Sequence, residues 1–539
     1  MKQYGADIVF QNGNVITVDP QDRIAEALAV KGNIISFVGT NEEVKQWIGP
    51  ETRVIDLNGR SLLPGLIDAH MHLAETASNE FAVDCSYPKV KSIEDIKNKI
   101  REAAQKAKPG QWIRGFGYDQ NELAEHRHPN YQDLDEAAPD NPVVILRVCG
   151  HMAVNNSRAL KIYGIEDRLS EYPSDNIEIV DGKLTGRLIG QAYMDTIELY
   201  EPSEEEYVHA VLDMKDKLIR SGLTSIHDAG SYGPNGAKQM RVYQKVTEHN
   251  DVKLRIYAMA FSYPNNITYA QDVINSGMRT GFGDNRLRLG SLKTMVDGST
   301  SGPTSATLEP YCSDPDNQGV LYTTQEKLND LFLKAHLAGF QITAHATGDK
   351  AVEMVVNAIE NALKIQPRKN HRHRIEHCFL VNEELIRRIK ELEIIPVVQP
   401  VFYHDFGDSY FVNYGEERVN RTFTSRTFID QGVTVAAGSD SPVASYDPVM
   451  GIHMVVNRTT LEGKVAGEKE RVSVMEAIKM YTINGAYASF EEDIKGSLET
   501  GKLADLVVLS DSILDADPAK IKDLNVDMTI IDGNIEYER

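Results

Sequence analysis

The sequence has 539 residues, of which 41% are hydrophobic and 25% are charged, and its formal net charge is −22. This length predicts two or three domains rather than a single core. The acidic charge, without clusters of lysine and arginine, argues against a nucleic-acid-binding protein and disfavours binding to anionic membranes.

The cysteines and the first residues of the chain indicate in which cellular compartment the protein is found. Four cysteines are widely spaced and form no Cys-x-x-Cys pair, which favours a reducing compartment over a disulfide framework. The chain begins Met-Lys-Gln-Tyr-Gly-Ala-Asp, without an apolar signal segment. No stretch approaches the roughly 18 apolar residues of a membrane-spanning helix. We therefore expect a cytoplasmic protein.

Short strands separated by turns are predicted at both ends of the chain. Asn12-Gly13 and Lys31-Gly32-Asn33 are hairpin signals between strand-like runs in residues 7–38. The apolar runs at residues 504–509 and 528–531 have the same character. We expect residues 1–61 together with 485–539 to form one composite β-sandwich domain.

Strands and helices alternate in the middle of the chain. Apolar β-type runs are predicted at residues 62–72, 224–228, 253–260, 286–296, 340–345, 372–378, 394–399 and 433–440. Eight strands that mostly alternate with helices predict an α/β fold, a (β/α)8 TIM barrel over residues 62–484. An open doubly wound sheet is the alternative, but no glycine-rich phosphate motif follows any strand.

The connection between the first two barrel strands is far longer than the others. It contains a predicted helix at residues 93–108, an apolar strand at residues 142–148, and aromatic side chains. These aromatic residues are Phe81, Trp112, Phe116 and Tyr118. We interpret residues 75–222 as an inserted subdomain that forms a lid over the barrel mouth and contacts a partly apolar ligand.

The first barrel strand carries half of a candidate metal site. Residues 62–73 read Leu-Leu-Pro-Gly-Leu-Ile-Asp-Ala-His-Met-His-Leu, so Asp68, His70 and His72 occupy alternate positions and face the same way on a strand. Two adjacent imidazoles at the end of a buried strand can bind a metal ion. The pattern also arises by chance, since His-x-His recurs at residues 126–128 and 371–373.

Four further candidate ligands lie at the ends of later predicted strands. They are Lys293, inside an otherwise apolar strand, and His345, His377 and Asp440. Each has a structural alternative: a salt bridge for the buried lysine, a structural role for either histidine, and a helix N-cap for the aspartate. Their coincidence at the carboxyl ends of barrel strands, where barrel enzymes keep their active sites, favours one shared site.

The order His-x-His, Lys, His, His, Asp on successive strands resembles the metal-dependent amidohydrolase superfamily. More narrowly, it resembles the amidohydrolase-3 (YtcJ-like) branch, which includes N-substituted formamide deformylase. The similarity extends over nearly the whole chain, through the stretches Leu-Pro-Gly-Leu-Ile-Asp-Ala-His-Met-His, Cys-Gly-His-Met-Ala-Val-Asn-Asn-Ser-Arg-Ala-Leu, Lys-Thr-Met-Val-Asp-Gly-Ser, Ala-His-Ala-Thr-Gly-Asp, Arg-Ile-Glu-His and Gly-Ser-Asp-Ser-Pro.

This resemblance implies a set of metal ligands. His70, His72 and Asp440 would hold one divalent metal ion, expected to be zinc, and His345 and His377 would hold a second. Lys293, if converted to N6-carboxylysine, would bridge the two ions. With an unmodified lysine the site would hold a single ion, so one or two ions per chain are expected.

The ligands imply a hydrolytic mechanism. Coordination lowers the pKa of a water molecule towards about 7, and the resulting hydroxide attacks a carbonyl group. Asp440 would act as general acid and base between this water and the leaving amine. His151, in a Gly-His-x-Ala-x-Asn motif, would hydrogen-bond the carbonyl oxygen, with a turn-fixing role as its alternative. Cys378 is a weaker nucleophile candidate, because strand neighbours such as His377 and Cys378 face opposite ways.

The expected partner is a small-molecule substrate with a non-peptide amide bond, such as an N-substituted formamide or an N-acyl amine. A mononuclear deaminase, a cyclic amidase and a non-catalytic regulator on the same scaffold are the alternatives, and Lys293 argues against the deaminase. No nucleic-acid or membrane partner is expected, and a homodimer is the base-rate expectation. His227, His404 and Arg374 lie near strand ends without an assigned role.

Overall fold

A computed structural model of the protein describes residues 5–230, 236–248 and 252–539. The chain divides into two compact units. The first contains residues 1–72, 212–230 and 243–539, and the second contains residues 73–211 and 231–242. Within the described ranges, no helix has both the length and the apolar character needed to cross a membrane.

Eight parallel strands form the largest sheet of the first unit. In chain order they are β1 (Leu66–Met71), β2 (Leu223–Asp228), β3 (Arg255–Phe261), β4 (Leu287–Met295), β5 (Ile342–Ala346), β6 (Arg374–His377), β7 (Ile395–Val398) and β8 (Ala436–Ala437). The Asp440 amide donates to the His70 carbonyl at 2.7 Å, and the His72 amide donates to the Ser441 carbonyl at 2.8 Å. These bonds join the segment after β8 to β1, so the predicted (β/α)8 barrel is confirmed as a nearly closed sheet.

Amphipathic helices follow most of the barrel strands. In Asp349–Ile365, for example, Val352, Val355, Val356 and Ile359 are fully buried at the spacing of one helix face. Glu204–Arg220 and Gly236–Glu248 run across the boundary between the two units. The other helices that follow β2 are Thr268–Asn275, Gln325–Leu337, Asp349–Ile365, Glu383–Glu391, Phe402–Val419, Ser425–Asp430, Pro448–Asn457, Val474–Met480 and Ile483–Ala488.

Two smaller sheets are built from the ends of the chain: one contains strands of the first 56 residues only, and the other contains strands from both ends, as predicted. One has the order Ile34–Gly39, Ala27–Lys31, Ile8–Gln11, Arg53–Asp56, and the other has the order Asn534–Glu538, Val526–Ile531, Leu506–Leu509, Ser61–Pro64, Asn14–Ile16, Ile24–Ala25. Phe10 and Leu28 of the first sheet share one buried core with Leu62, Leu506 and Ile530 of the second. The sheets therefore form a β-sandwich, and the short helix Asn41–Val44 belongs to the same part of the chain.

The single strand predicted at residues 62–72 is two strands. Ser61–Pro64 pairs in the β-sandwich and β1 pairs in the barrel, with Gly65 between them. A Cβ atom at Gly65 would lie 2.2 Å from Thr224 Oγ1. The chain can therefore pass from one sheet to the other at this position only because glycine has no side chain.

The second unit has a sheet and a core of its own. The strand order is Ile177–Val180, Lys183–Ile189, Met152–Asn155, Val143–Arg147, Ile113–Tyr118, Val83–Asp84, and the helices are Leu73–Ser78, Ile93–Lys106, Tyr131–Ala137, Ser157–Tyr163 and Gly190–Met194. Tyr118 is fully buried in this core, and Trp112 stacks on Tyr163 with 5.7 Å between ring centroids. Both rings thus have packing roles within the inserted segment, whose function as a lid stays a prediction.

Candidate metal centre

His70 and His72 extend from the end of β1 towards Asp440. The Nε2 atom of each imidazole lies 3.2 Å from Asp440 Oδ1. All three side chains are buried, and their ligand atoms lie within 4.8 Å of one another. Among the described histidine, cysteine, aspartate and glutamate side chains, these three form the only group of three or more that could hold a metal ion.

The chemistry of these three groups fits a divalent cation. Asp440 Oδ1 is a buried oxygen that accepts no hydrogen bond from the described part of the chain. Burial alone would raise the pKa of Asp440, but His70 and His72, when protonated in the absence of a metal ion, donate to the carboxylate and hold this pKa well below its usual range. An ionised carboxylate and two imidazole nitrogens that converge on one point are the oxygen and nitrogen ligands that zinc and similar ions prefer.

Hydrogen bonds donated by Nδ1, the ring nitrogen remote from Asp440, orient both imidazoles. His70 Nδ1 donates to Glu376 Oε2 at 2.5 Å, and His72 Nδ1 donates to the Gly230 carbonyl oxygen at 2.5 Å. A carboxylate or carbonyl oxygen can only accept, so each ring carries its proton on Nδ1. Both Nε2 lone pairs therefore face Asp440, as a metal ligand requires.

Asp68 and Gly438 bring Asp440 to this position. Asp68 Oδ1 accepts hydrogen bonds from the backbone amides of His70 and Ser439, each at 3.0 Å. A Cβ atom at Gly438 would lie 2.4 Å from His70 N, so the close approach of the two segments requires glycine. Burial raises the pKa of Asp68 to about 6. Asp68 therefore joins β1 to the segment after β8, although it shares a strand face with the two histidines.

Lys293 lies inside the barrel beside His70. Its Nζ atom is 3.2 Å from His70 Nε2, and the residue is 2% exposed. The lysine forms no ion pair with a carboxylate in the described part of the chain, so the salt-bridge alternative is not observed. Burial lowers the pKa of Lys293 to about 8.

His345 and His377 complete the group of predicted ligands. Their ring centroids are 4.4 Å apart, and the His377 ring is 5.0 Å from that of His70. His377 Nδ1 donates to Gln399 Oε1 at 2.7 Å, and His345 Nε2 donates to the Gly298 carbonyl at 2.9 Å. These bonds place the lone pairs on His377 Nε2 and His345 Nδ1. All six predicted ligands therefore lie together at one end of the barrel.

The backbone is strained where two of these ligands leave their strands. His377, Cys378 and Asp440 have φ values of +71°, +46° and +59°, in the left-handed region that disfavours side chains. Such conformations cost about 1–3 kcal/mol each and concentrate at functional sites. Cys378 itself is fully buried, and burial raises the pKa of its thiol, which disfavours the nucleophile role.

Sequence reasoning did not assign roles to three residues that orient the ligands directly or through a neighbour. Glu376 accepts a hydrogen bond from His70, Gln399 orients His377, and Arg374 pairs with Glu376 at 2.8 Å. A usable signal was present, because Arg374 and Glu376 are opposite charges at alternate positions of a buried strand. His227 lies 3.0 Å from the Arg374 guanidinium.

The other histidines considered in the sequence have these surroundings. His404 is partly exposed beside Asp405, and His128 contacts the hydroxyl of Tyr118. His371 and His373 precede β6, at the end of that strand opposite to His377. His151 is 7% exposed, between Val143–Arg147 and Met152–Asn155 of the second unit, and its catalytic role stays a prediction.

Comparisons with known proteins agree with this geometry. The model of the amidohydrolase family matches residues 53–537. The chain is 30% identical to the N-substituted formamide deformylase of Arthrobacter pascens, over 99% of this chain and 98% of that protein. It is also 30% identical to the putative amidohydrolase YtcJ of Bacillus subtilis, over 98% of this chain and 99% of that protein. An uncharacterised metal-dependent hydrolase from Pyrococcus furiosus has a similar structure, with a TM-score of 0.73, 26% identity, and coverage of 95% of this chain and 100% of that one.

Proposed function

Because the chain belongs to the amidohydrolase family and is an enzyme that hydrolyses carbon–nitrogen bonds other than peptide bonds, we propose that its substrate is a small amide, an N-substituted formamide or a related N-acyl amine. The similarity to a formamide deformylase over nearly the full length of both chains supports this class. The fold alone does not select it, since barrel enzymes catalyse many reactions.

The proposed cofactor is zinc. His70, His72 and Asp440 would hold one ion, and His345 and His377 would hold a second with Lys293 as a bridge. An uncharged amine is needed for reaction with carbon dioxide, and the lowered pKa of Lys293 supports such a reaction. The product, N6-carboxylysine, is an anion that replaces an unpaired buried cation. With an unmodified Lys293, we expect one ion only.

The residues around this site have distinct roles in the proposed reaction. A divalent metal ion bound there would lower the pKa of a coordinated water towards about 7 and polarise the substrate carbonyl. Asp440 is ionised at neutral pH, so its carboxylate can accept a proton from the attacking water and transfer it to the leaving nitrogen. We assign His151 a hydrogen bond to the carbonyl oxygen, because it occupies a motif shared with the branch.

One observation carries the metal centre on which this reaction depends: two Nε2 lone pairs converge at 3.2 Å on a buried carboxylate oxygen that accepts no hydrogen bond from the described residues. The test is amine release from N-substituted formamides and N-acyl amines by metal-loaded protein. We expect Asp440→Asn to lower this release by at least about 100-fold and His404→Ala, at a partly exposed histidine, to retain it. Ammonia release from an amino-heterocycle instead would indicate the deaminase, and no turnover of any substrate would indicate the regulator.

A further inference from the structure

A buried ion pair lies directly behind His70. Arg374 Nε donates to Glu376 Oε1 at 2.8 Å, and Arg374 Nη2 donates to Glu376 Oε2 at 3.0 Å. Both residues are 0% exposed. Burial of two charges is costly, and such a pair adds little stability compared with apolar side chains. A stabilising role therefore does not explain why the barrel interior contains it.

Glu376 is held from three strands. Its Oε1 also accepts from Thr343 Oγ1 on β5 at 2.7 Å, and its Oε2 also accepts from His70 Nδ1 on β1. Arg374 is fixed in turn, because its Nη2 donates to the Ala69 carbonyl at 2.7 Å. The carboxylate thus receives four hydrogen bonds and has one orientation available.

We propose that Glu376, clamped by Arg374, is a positioning residue that keeps the proton of His70 on Nδ1 and thereby sets the metal affinity of the centre. This inference rests on the proposed function, since it takes His70 as a metal ligand. A carboxylate can only accept, so His70 must donate from Nδ1 and present the Nε2 lone pair to the metal.

Glutamine at position 376 would disturb this arrangement specifically. An amide NH₂ group at the Oε2 position would face Arg374 Nη2 and would donate to His70 Nδ1, which moves the imidazole proton to Nε2. An NH₂ group at the Oε1 position would face the Nε–H donor of Arg374. Neither orientation reproduces the four hydrogen bonds, and the first one prevents ligation by His70.

The test measures metal affinity rather than turnover. The dissociation constant for Co²⁺ is determined by competition with a chelator, and the visible spectrum of the Co²⁺ protein reports its ligands. We expect Glu376→Gln to bind Co²⁺ about 10–100-fold more weakly, with an altered spectrum. Thr343→Val is the matched control, because it removes a hydrogen bond to Oε1 and keeps the one from His70. Its Co²⁺ affinity should stay within about threefold of wild type.

A second variant, Glu376→Asp, keeps the inference testable if Glu376→Gln does not fold. Glu376→Asp keeps the negative charge beside Arg374 but withdraws the carboxylate from His70 by one methylene, so it should also weaken Co²⁺ binding. If both variants fold and bind Co²⁺ with wild-type affinity, the inference is overturned and the proposed function is left intact. The same holds if Glu376→Gln is unfolded and Glu376→Asp binds Co²⁺ with wild-type affinity. Failure of the wild-type protein to bind Co²⁺ would instead refute the proposed function.

Discussion

Replacement of Gly438 with alanine should separate Asp440 from the two histidines of β1. The added Cβ would lie 2.4 Å from His70 N and 2.8 Å from Asp68 Oδ1, whereas such contacts need about 3.5 Å. The segment after β8 must therefore move by roughly 1 Å. This movement would break or lengthen the bonds from Ser439 N to Asp68 and from Asp440 N to His70 O, now 3.0 and 2.7 Å long.

Two contributions set the size of the effect on stability. Overpacking in a filled interior costs about 1–3 kcal/mol, and one lost hydrogen bond costs about 1 kcal/mol. The free energy of unfolding of the metal-free Gly438→Ala protein should therefore fall by about 2–4 kcal/mol. Metal sites tolerate ligand displacements of only about 0.2 Å, so we also expect metal affinity to fall at least about tenfold.

Gly432→Ala is the control for a general effect of losing glycine. Gly432 has a φ of +78° and no atom within 4 Å of an added Cβ, so alanine there costs about 1–2 kcal/mol through backbone strain alone. Thermal unfolding and elemental analysis compare the two variants. Both should unfold at lower temperature, and only Gly438→Ala should lose metal. Wild-type metal content in Gly438→Ala would refute the steric argument.

Four further results are expected. Asp440→Asn, assayed at saturating metal, should lower kcat by about 10²–10⁴-fold, because the proton acceptor is lost. His151→Asn should lower kcat by orders of magnitude with unchanged metal content, and normal turnover would remove its assigned role. Lys293→Met should reduce metal content from about two ions per chain to about one and abolish any stimulation by bicarbonate. Since the pKa of Lys293 is about 8, the neutral fraction of its amine rises about tenfold between pH 7 and pH 9. The metal-free protein, at fixed dissolved CO₂, should therefore incorporate labelled carbon dioxide at Lys293 about tenfold faster at pH 9 than at pH 7.

The barrel could be predicted from sequence because its strands are fully buried apolar runs separated by helical periodicity. The ligands could be predicted because His70, His345 and Asp440 all end such runs, and the carboxyl ends of barrel strands meet at one face. The β-sandwich followed from turn signals and β-type runs at both ends of the chain. In each case a local pattern determines the structure.

Other features depend on contacts between distant segments, which a local pattern does not contain. Strand alternation places Glu376 and His377 on opposite faces, yet both reach the centre because the φ of His377 is +71°. Gly65 divides a continuous apolar run between two sheets because Thr224, far along the chain, occupies the space of its side chain. The role of Glu376 was likewise hidden, since its bonds from His70 and Thr343 come from other strands of the barrel.

Metal content per chain tests the central claim most directly. Elemental analysis would compare wild-type protein with His72→Asn, both purified without chelator and with bicarbonate present. We predict about one divalent ion per wild-type chain with an unmodified Lys293, and about two with a carboxylated Lys293. The His72→Asn protein should hold at least one ion fewer than the wild type. A wild-type protein that holds no metal, even after zinc is added back, would contradict the assignment of His70, His72 and Asp440 as a metal centre.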